Sequence, residues 1–201
     1  VVLRTEGEPA AVLEADRLLA EGAGHWLGRE ALHHAKRVLK RLDLTAKTLY
    51  AFIEPGSCFA GFLSELVLAA DQSFMLEGAP AGDNKPPAAL RLSGVNFGPL
   101  PMGNGLTRLQ TRFLGDPAAV ERAAAAADRD LLAGDAAALG LVTSAPDELD
   151  WDEEIRIAVE ARASFSPDAL TGMEANLRMA GPETLETKIF GRLTAWQNWI
   201  F

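Results

Sequence analysis

Between Leu49 and Asp71 the chain runs Leu-Tyr-Ala-Phe-Ile, then Glu-Pro-Gly-Ser-Cys-Phe-Ala-Gly, then Phe-Leu-Ser-Glu-Leu-Val-Leu-Ala-Ala-Asp. Five apolar residues meet a Pro-Gly pair, and small residues lead into an apolar pattern with helical spacing. This predicts a strand, a tight turn and a helix, with Leu49–Ile53 as the strand. Such a junction leaves the first helical amides without partners inside the helix, and the helix dipole adds partial positive charge there. An oxyanion or a thioester carbonyl can be held at this point. Glu65 follows within the helix, close in sequence to the turn.

The rest of the chain supplies the material to bury that unit. It has 201 residues, 48% of them hydrophobic, enough for a sizeable core. The net charge of −9 argues against nucleic acid as a partner. With a single cysteine, Cys58, no internal disulfide can form, and a cytoplasmic location is expected. No apolar run is long enough to span a bilayer, so no membrane partner is expected. The chain opens on an apolar Val-Val-Leu-Arg run and closes on Trp196-Gln-Asn-Trp-Ile-Phe201, which reads as a piece of a longer protein.

In chain order, Val12, Ala15 and Leu19 set a helix over Ala11 to Glu21. A second runs from Trp26 to Leu42, with Leu32, Ala35, Val38 and Leu39 on one face. Its cations Arg29, Lys36, Arg37, Lys40 and Arg41 lie largely elsewhere and read as a solvated surface rather than a phosphate site. His33 and His34 point in different directions and have no zinc spacing. Cys58 reads as packing, and Ser57 and Ser64 lack a histidine and aspartate arrangement. Ser73 to Leu76 and Ala89 to Leu92 read as strands, joined by the turn-rich Gly78 to Pro87. Pro117 to Ala127 is an alanine-rich helix. The acidic run Asp147 to Glu154 lacks a calcium-loop pattern and reads as a helix start, and no metal site is expected. Ser166-Pro167 and Gly181-Pro182 mark two further helix starts. Phe190, Trp196, Trp199 and Phe201 are packing or interface residues.

The order Ala60-Gly61-Phe62-Leu63-Ser64-Glu65, then Val67-Leu68-Ala69-Ala70-Asp71, resembles the signature of the enoyl-CoA hydratase (crotonase) superfamily. There a glycine-rich turn gives an oxyanion-hole amide and a catalytic glutamate follows. Asn96 to Leu109, with Gly103 and Gly105, resembles the superfamily's glycine-rich helix start, and Gly134 to Val142 its small-residue helix and Gly-Leu-Val strand. The resemblance implies an α/β fold, a crotonase-like ββα spiral core over residues 1–150, truncated at its N-terminus, and a helical region over 151–201. It assigns the oxyanion amides to Phe62 and Leu13, an acid/base role to Glu65, and substrate contacts to Gly61 and Gly103. In place of consecutive glycines stand Phe62 and Leu63. Where many hydratases carry a second glutamate, Ser93-Gly94-Val95-Asn96 offers no carboxylate, which disfavours ordinary hydration.

Residues 181 to 201, together with Ile53 to Gly61, are more distinctive. They resemble the benzoyl-CoA-dihydrodiol lyases, in the second of two crotonase-like halves. This implies a carbon–carbon lyase of aerobic benzoate catabolism. It would open 2,3-epoxy or dihydrodiol benzoyl-CoA to a semialdehyde CoA thioester and formate, with no cofactor beyond the CoA of the substrate. The implied partners are an acyl-CoA thioester, the N-terminal half of the same protein and further copies in a homo-oligomer. Two alternatives are a noncatalytic scaffold or dimerisation half, and a generic enoyl-CoA hydratase or isomerase.

Overall fold

The structure, a computed structural model, describes residues 1–78, 82, 84–178 and 183–200. At its centre lie three parallel strands in spatial order β1 (Val2–Leu3), β2 (Tyr50–Ile53) and β3 (Gln72–Met75). Tyr50 is in register with Val2 on one side and Gln72 on the other, and Ile53 pairs with Met75. All four residues of β2 are buried, as expected of a parallel strand covered on both faces and so written without polar alternation.

Two helices connect β1 to β2. Helix α1 (Pro9–Glu21) has Pro9 in its first turn, where the missing N–H is no loss, and gives way to a short turn at Gly22. Helix α2 (Trp26–Asp43) begins where His25 Nδ1 accepts the Leu27 amide at 3.3 Å. Lys40 and Arg41 complement the dipole in its last turn. Leu39 is buried, whereas Val38, expected on the same face, stays 42% exposed because it sits one residue, about 100°, round the helix from Leu39.

After β2 the chain turns through Gly56 and makes a single tight turn at Gly61–Leu63, then enters α3 (Ser64–Ala69), which returns directly to β3. The predicted strand–turn–helix unit is present. The expected strand at Ala89–Leu92 is reduced to paired points: Leu90 exchanges both backbone bonds with Leu131 at 2.9 and 3.0 Å, and Arg91 bridges Ala60. Ladder partners lie on different segments at successive residues, so no continuous strand forms there. Likewise Leu141 and Val142 are buried, and the chain after them meets β3 as an isolated bridge, Ser144 opposite Phe74, with Thr143 N–H donating to Ser73 O at 2.9 Å, rather than as a continuous strand.

The remaining helices are α4 (Arg108–Arg112), α5 (Pro117–Ala125), α6 (Ala133–Ala138), α7 (Trp151–Ser164), α8 (Pro167–Arg178) and α9 (Thr194–Ile200). Thr107 and Gln110 form a reciprocal cap on α4, and Asp116 caps α5 through Ala119 N–H at 3.1 Å. The core joins Phe52, Ile53, Phe74 and Met75 to Leu90, Leu92, Leu109, Leu131 and Leu141. Trp151 opens α7 by inserting edge-on against Phe52, 6.0 Å between ring centres, and Tyr50 Oη donates to Ala158 O at 3.1 Å. These contacts dock α7 on β2. The wide-pitched turn Thr187–Leu193 precedes α9, whose Trp196 indole packs directly against Gly172 of α8. Phe190 is 72% exposed. The helix start at Gly181-Pro182, Phe201, and the side chain of Trp199 lie outside the described residues.

Among the described residues no helix is long and apolar enough to cross a membrane.

Candidate functional site

The turn between β2 and α3 has φ +46° at Gly61, a conformation open to glycine, and its amide donates to Arg91 O at 2.9 Å. The next amide, Phe62 N–H, is already engaged. It donates to Asp16 Oδ2 at 2.8 Å. A Cβ on Gly61 would lie 2.0 Å from that oxygen and 3.1 Å from Leu13 Cδ2, so α1 lies directly on the turn. A carboxylate oxygen of the protein thus takes the donor expected to meet a thioester oxygen. Burial raises the pKa of Asp16, and the Phe62 amide opposes that rise.

Leu13 and Phe62 are brought together, but through the Leu13 side chain against Gly61. The Leu13 backbone lies inside α1, and no hydrogen bond relates it to the turn. Gly103 is exposed on a loop closed by Met102 N–H to Leu106 O at 2.8 Å; that loop feeds α4.

Glu65 lies one turn into the helical segment and is 1% exposed. Both of its oxygens are taken: Oε1 accepts Asn96 Nδ2 at 2.7 Å, and Oε2 accepts Arg108 Nη1 at 2.6 Å. Asn96 also donates to Gly61 O at 2.9 Å and accepts Ser93 N–H at 2.9 Å. Its carboxamide therefore ties the oxyanion turn, Glu65 and the Ser93–Asn96 segment into one network. Arg108 holds a second carboxylate, Asp43 at the end of α2, through Nε at 3.1 Å and Nη2 at 2.8 Å. The arginine and both acids are at most 3% exposed. Burial raises the Glu65 pKa; the charge and hydrogen bond of Arg108 and the Asn96 bond pull it down, and Asp43 adds to the rise. An acid/base group needs a lone pair or proton facing substrate or water. In this arrangement both Glu65 oxygens face protein donors.

Sequence reading missed Asp16, Asp43 and Arg108. The signal for the two acids was there: Asp16 sits four residues after Val12 on the packed face of α1, and Asp43 four after the buried Leu39. A charge on the apolar side of a helix requires a partner.

Cys58 is buried, with its Sγ 3.6 Å from where a Cβ on Gly7 would stand. Ser57 Oγ accepts the Glu54 amide and Ser64 Oγ donates to Arg91 O, so both hydroxyls are structural. Among the described residues no group of histidine, cysteine or acidic side chains could hold a metal ion.

No family model matches the chain. It is 51% identical over 199 residues to the benzoyl-CoA-dihydrodiol lyase of Aromatoleum evansii, covering 99% of this chain and 35% of that protein. The chain therefore spans about a third of the length of the curated relative it matches. Among solved structures it is similar to an enoyl-CoA hydratase/isomerase from Cupriavidus metallidurans CH34, with TM-score 0.65 and 21% identity, covering 100% of this chain and 70% of that one. It is also similar to an enoyl-CoA hydratase from Bacillus anthracis, with TM-score 0.61 and 20% identity over 90% of this chain and 66% of that one. The chain has the fold of these proteins, the crotonase fold.

Proposed function

We propose that this chain is one segment of a benzoyl-CoA-dihydrodiol lyase, and that it is a supporting crotonase half whose own oxyanion cradle is closed by Asp16. The observation that carries the first part is the 51% identity extending over 99% of the chain. The whole enzyme then opens an oxygenated, dearomatised benzoyl-CoA to a semialdehyde CoA thioester and formate, with CoA entering only as part of the substrate. Residues 1–150 form the α/β core and 151–201 a helical region that packs on the rest of the lyase.

The second part follows from what the reaction requires. Two backbone donors must meet the thioester oxygen as it gains negative charge, and acid/base groups must assist water addition and carbon–carbon cleavage. Here the Phe62 donor is satisfied by Asp16, and a second anion would meet that carboxylate at close range. Glu65 is an anchor for Arg108 and Asn96, which orients the turn without exchanging protons with a ligand. Exposed Phe165, Leu177, Leu185 and Phe190 support packing of the helical region against another surface, the remaining part of the lyase and its homo-oligomer partners.

The test is formate release from 2,3-oxygenated benzoyl-CoA by the longer protein and by this chain alone. Formate from the longer protein only is expected. In that protein Glu65→Gln should leave kcat within a few-fold once its stability is matched. Formate from the chain alone, or a loss of 100-fold or more in kcat with the fold intact, would place working chemistry at Glu65. Formate from neither would return the chain to the generic enoyl-CoA hydratase reading, which crotonyl-CoA hydration then tests.

A further inference from the structure

The exposed arginines of α1 and α7 are paired within their own helices, Arg17 with Glu14 and Glu21 and Arg156 with Glu153 and Glu160, because acids stand three or four residues away. Helix α2 is built otherwise. No acid stands at that spacing from Arg29, Lys36, Arg37 or Arg41, and the acid three residues from Lys40, Asp43, is buried against Arg108. Among the described residues none of these cations has an ion pair. Lys36 with Lys40, and Arg37 with Arg41, are instead like charges one turn apart, which works against the helix. Beside them runs an exposed apolar line. Leu27 is 57% exposed, Ala31 follows one turn on, and the partly exposed Val38 lies eleven residues from Leu27, about three turns along the same side.

The approach to α7 is the opposite case. Asp147, Glu148, Asp150 and Asp152 are exposed, and among the described residues none of them is ion-paired. Asp147 Oδ1 accepts the Leu149 and Asp150 amides at 2.9 and 3.0 Å, which fixes the turn. Leu149, between the acids, is 88% exposed, more than any other large apolar side chain among the described residues. One surface is therefore a row of unpaired cations beside an apolar line, and the other an apolar knob among unpaired acids. They match in charge and in apolar content, and they make no ion pair with each other within one copy.

We propose that α2 docks on the 147–152 turn of a second copy of this chain. Leu149 packs on Leu27, Ala31 and Val38, while the acids meet Arg37, Arg41 and the neighbouring cations. Exposed ion pairs contribute little alone, and the apolar contact at the centre shields them from water. The like-charge repulsion along α2 is relieved in the same step. The contact is small and led by charge, so it is weak and sensitive to salt. This goes beyond the proposed lyase reading and does not depend on it, since it uses none of Phe62, Glu65, Phe165, Leu177, Leu185 or Phe190.

Sedimentation velocity of the chain over a range of concentrations tests it. Reversible association with Kd on the order of 100 µM is expected at about 0.02 M salt. It should weaken at least about tenfold at about 0.5 M salt. Arg37→Glu with Arg41→Glu in one chain, and Glu148→Lys with Asp150→Lys in another, should each weaken self-association at least about tenfold. An equimolar mixture of the two should associate again, because each then offers the surface that the other needs. Leu149→Ser, with every charge kept, should also weaken association. All these positions are at the surface, and circular dichroism establishes that each variant is folded. A monomer at low salt would overturn the proposal and leave these faces to other parts of the longer protein. Association that survives high salt, or that both charge-reversed chains retain, would overturn it in favour of the apolar residues of the helical region. A mixture no tighter than its components would overturn it as well.

Discussion

Replacing Arg108 by Met tests whether the centre of this fold is held by one cation between two acids. The guanidinium makes two bonds to Asp43 and a third to Glu65, at 2.6 to 3.1 Å, with all three side chains shut from water. Methionine retains much of the volume and removes the charge, leaving two carboxylates buried near one another. Breaking a buried pair by removing one partner costs about 3–5 kcal/mol, and here the removed partner serves two acids, so the upper end is expected near pH 7. The loss should shrink as pH falls, because the stranded carboxylates escape the penalty by taking up protons, which the native arginine opposes. Glu65→Gln should cost less, about 1–2 kcal/mol, since the amide still accepts from one neighbour. Combining the two substitutions should cost less than their sum, because Arg108→Met has fewer stranded charges once Glu65 is neutral. Urea unfolding followed by circular dichroism between pH 4 and pH 8 measures all three. A cost for Arg108→Met under 1 kcal/mol, or one independent of pH, would refute the reasoning. Arg108→Lys, which keeps the charge but not the planar fork, covers the case in which Arg108→Met does not fold.

Other consequences of the geometry can be checked on the same protein. Burial raises the Asp16 pKa, so its protonation favours the folded state: the contribution is full below the ordinary aspartate pKa and is lost as pH rises through the native value. Asp16→Asn, which can still accept the Phe62 amide, should therefore raise stability at pH 7 relative to pH 4 in parallel unfolding curves; an unchanged pH profile would contradict this. Gly61→Ala should cost about 2–3 kcal/mol from its left-handed φ and the collision with Asp16, and Asp16→Ala in the same chain should recover the collision part. Trp151→Ala should cost about 3–5 kcal/mol by emptying the contact with Phe52, read from the urea midpoint. Cys58 should react with a thiol reagent at the rate of unfolding rather than of diffusion, and rapid labelling of the native protein would show its burial to be wrong.

Much of the architecture was local enough to be read from residues alone. The apolar run ending at Ile53, the Pro-Gly turn and the helix containing Glu65 needed only short-range rules, and each appears as β2, the turn and α3. Pro117, and Ser166 with Pro167, mark helix starts for equally local reasons, whereas the first helix begins at Pro9, two residues before the expected Ala11. Ala89 to Leu92 failed as a strand because strand identity depends on a partner, and the partners there change at each residue. The chemistry of the turn was also beyond sequence. Asp16 reaches Phe62 across 46 residues, and Arg108 reaches Glu65 across 43 and Asp43 across 65. Periodicity shows that a charge lies on a packed face, but which charge it meets depends on how separate helices dock. The sequence alone therefore determined that an amide-rich strand-to-helix turn exists and that Glu65 follows it. Only the tertiary structure decided that a carboxylate from α1 fills that turn and that Glu65 is bound on both oxygens, because contacts between distant segments are set by packing of the whole core.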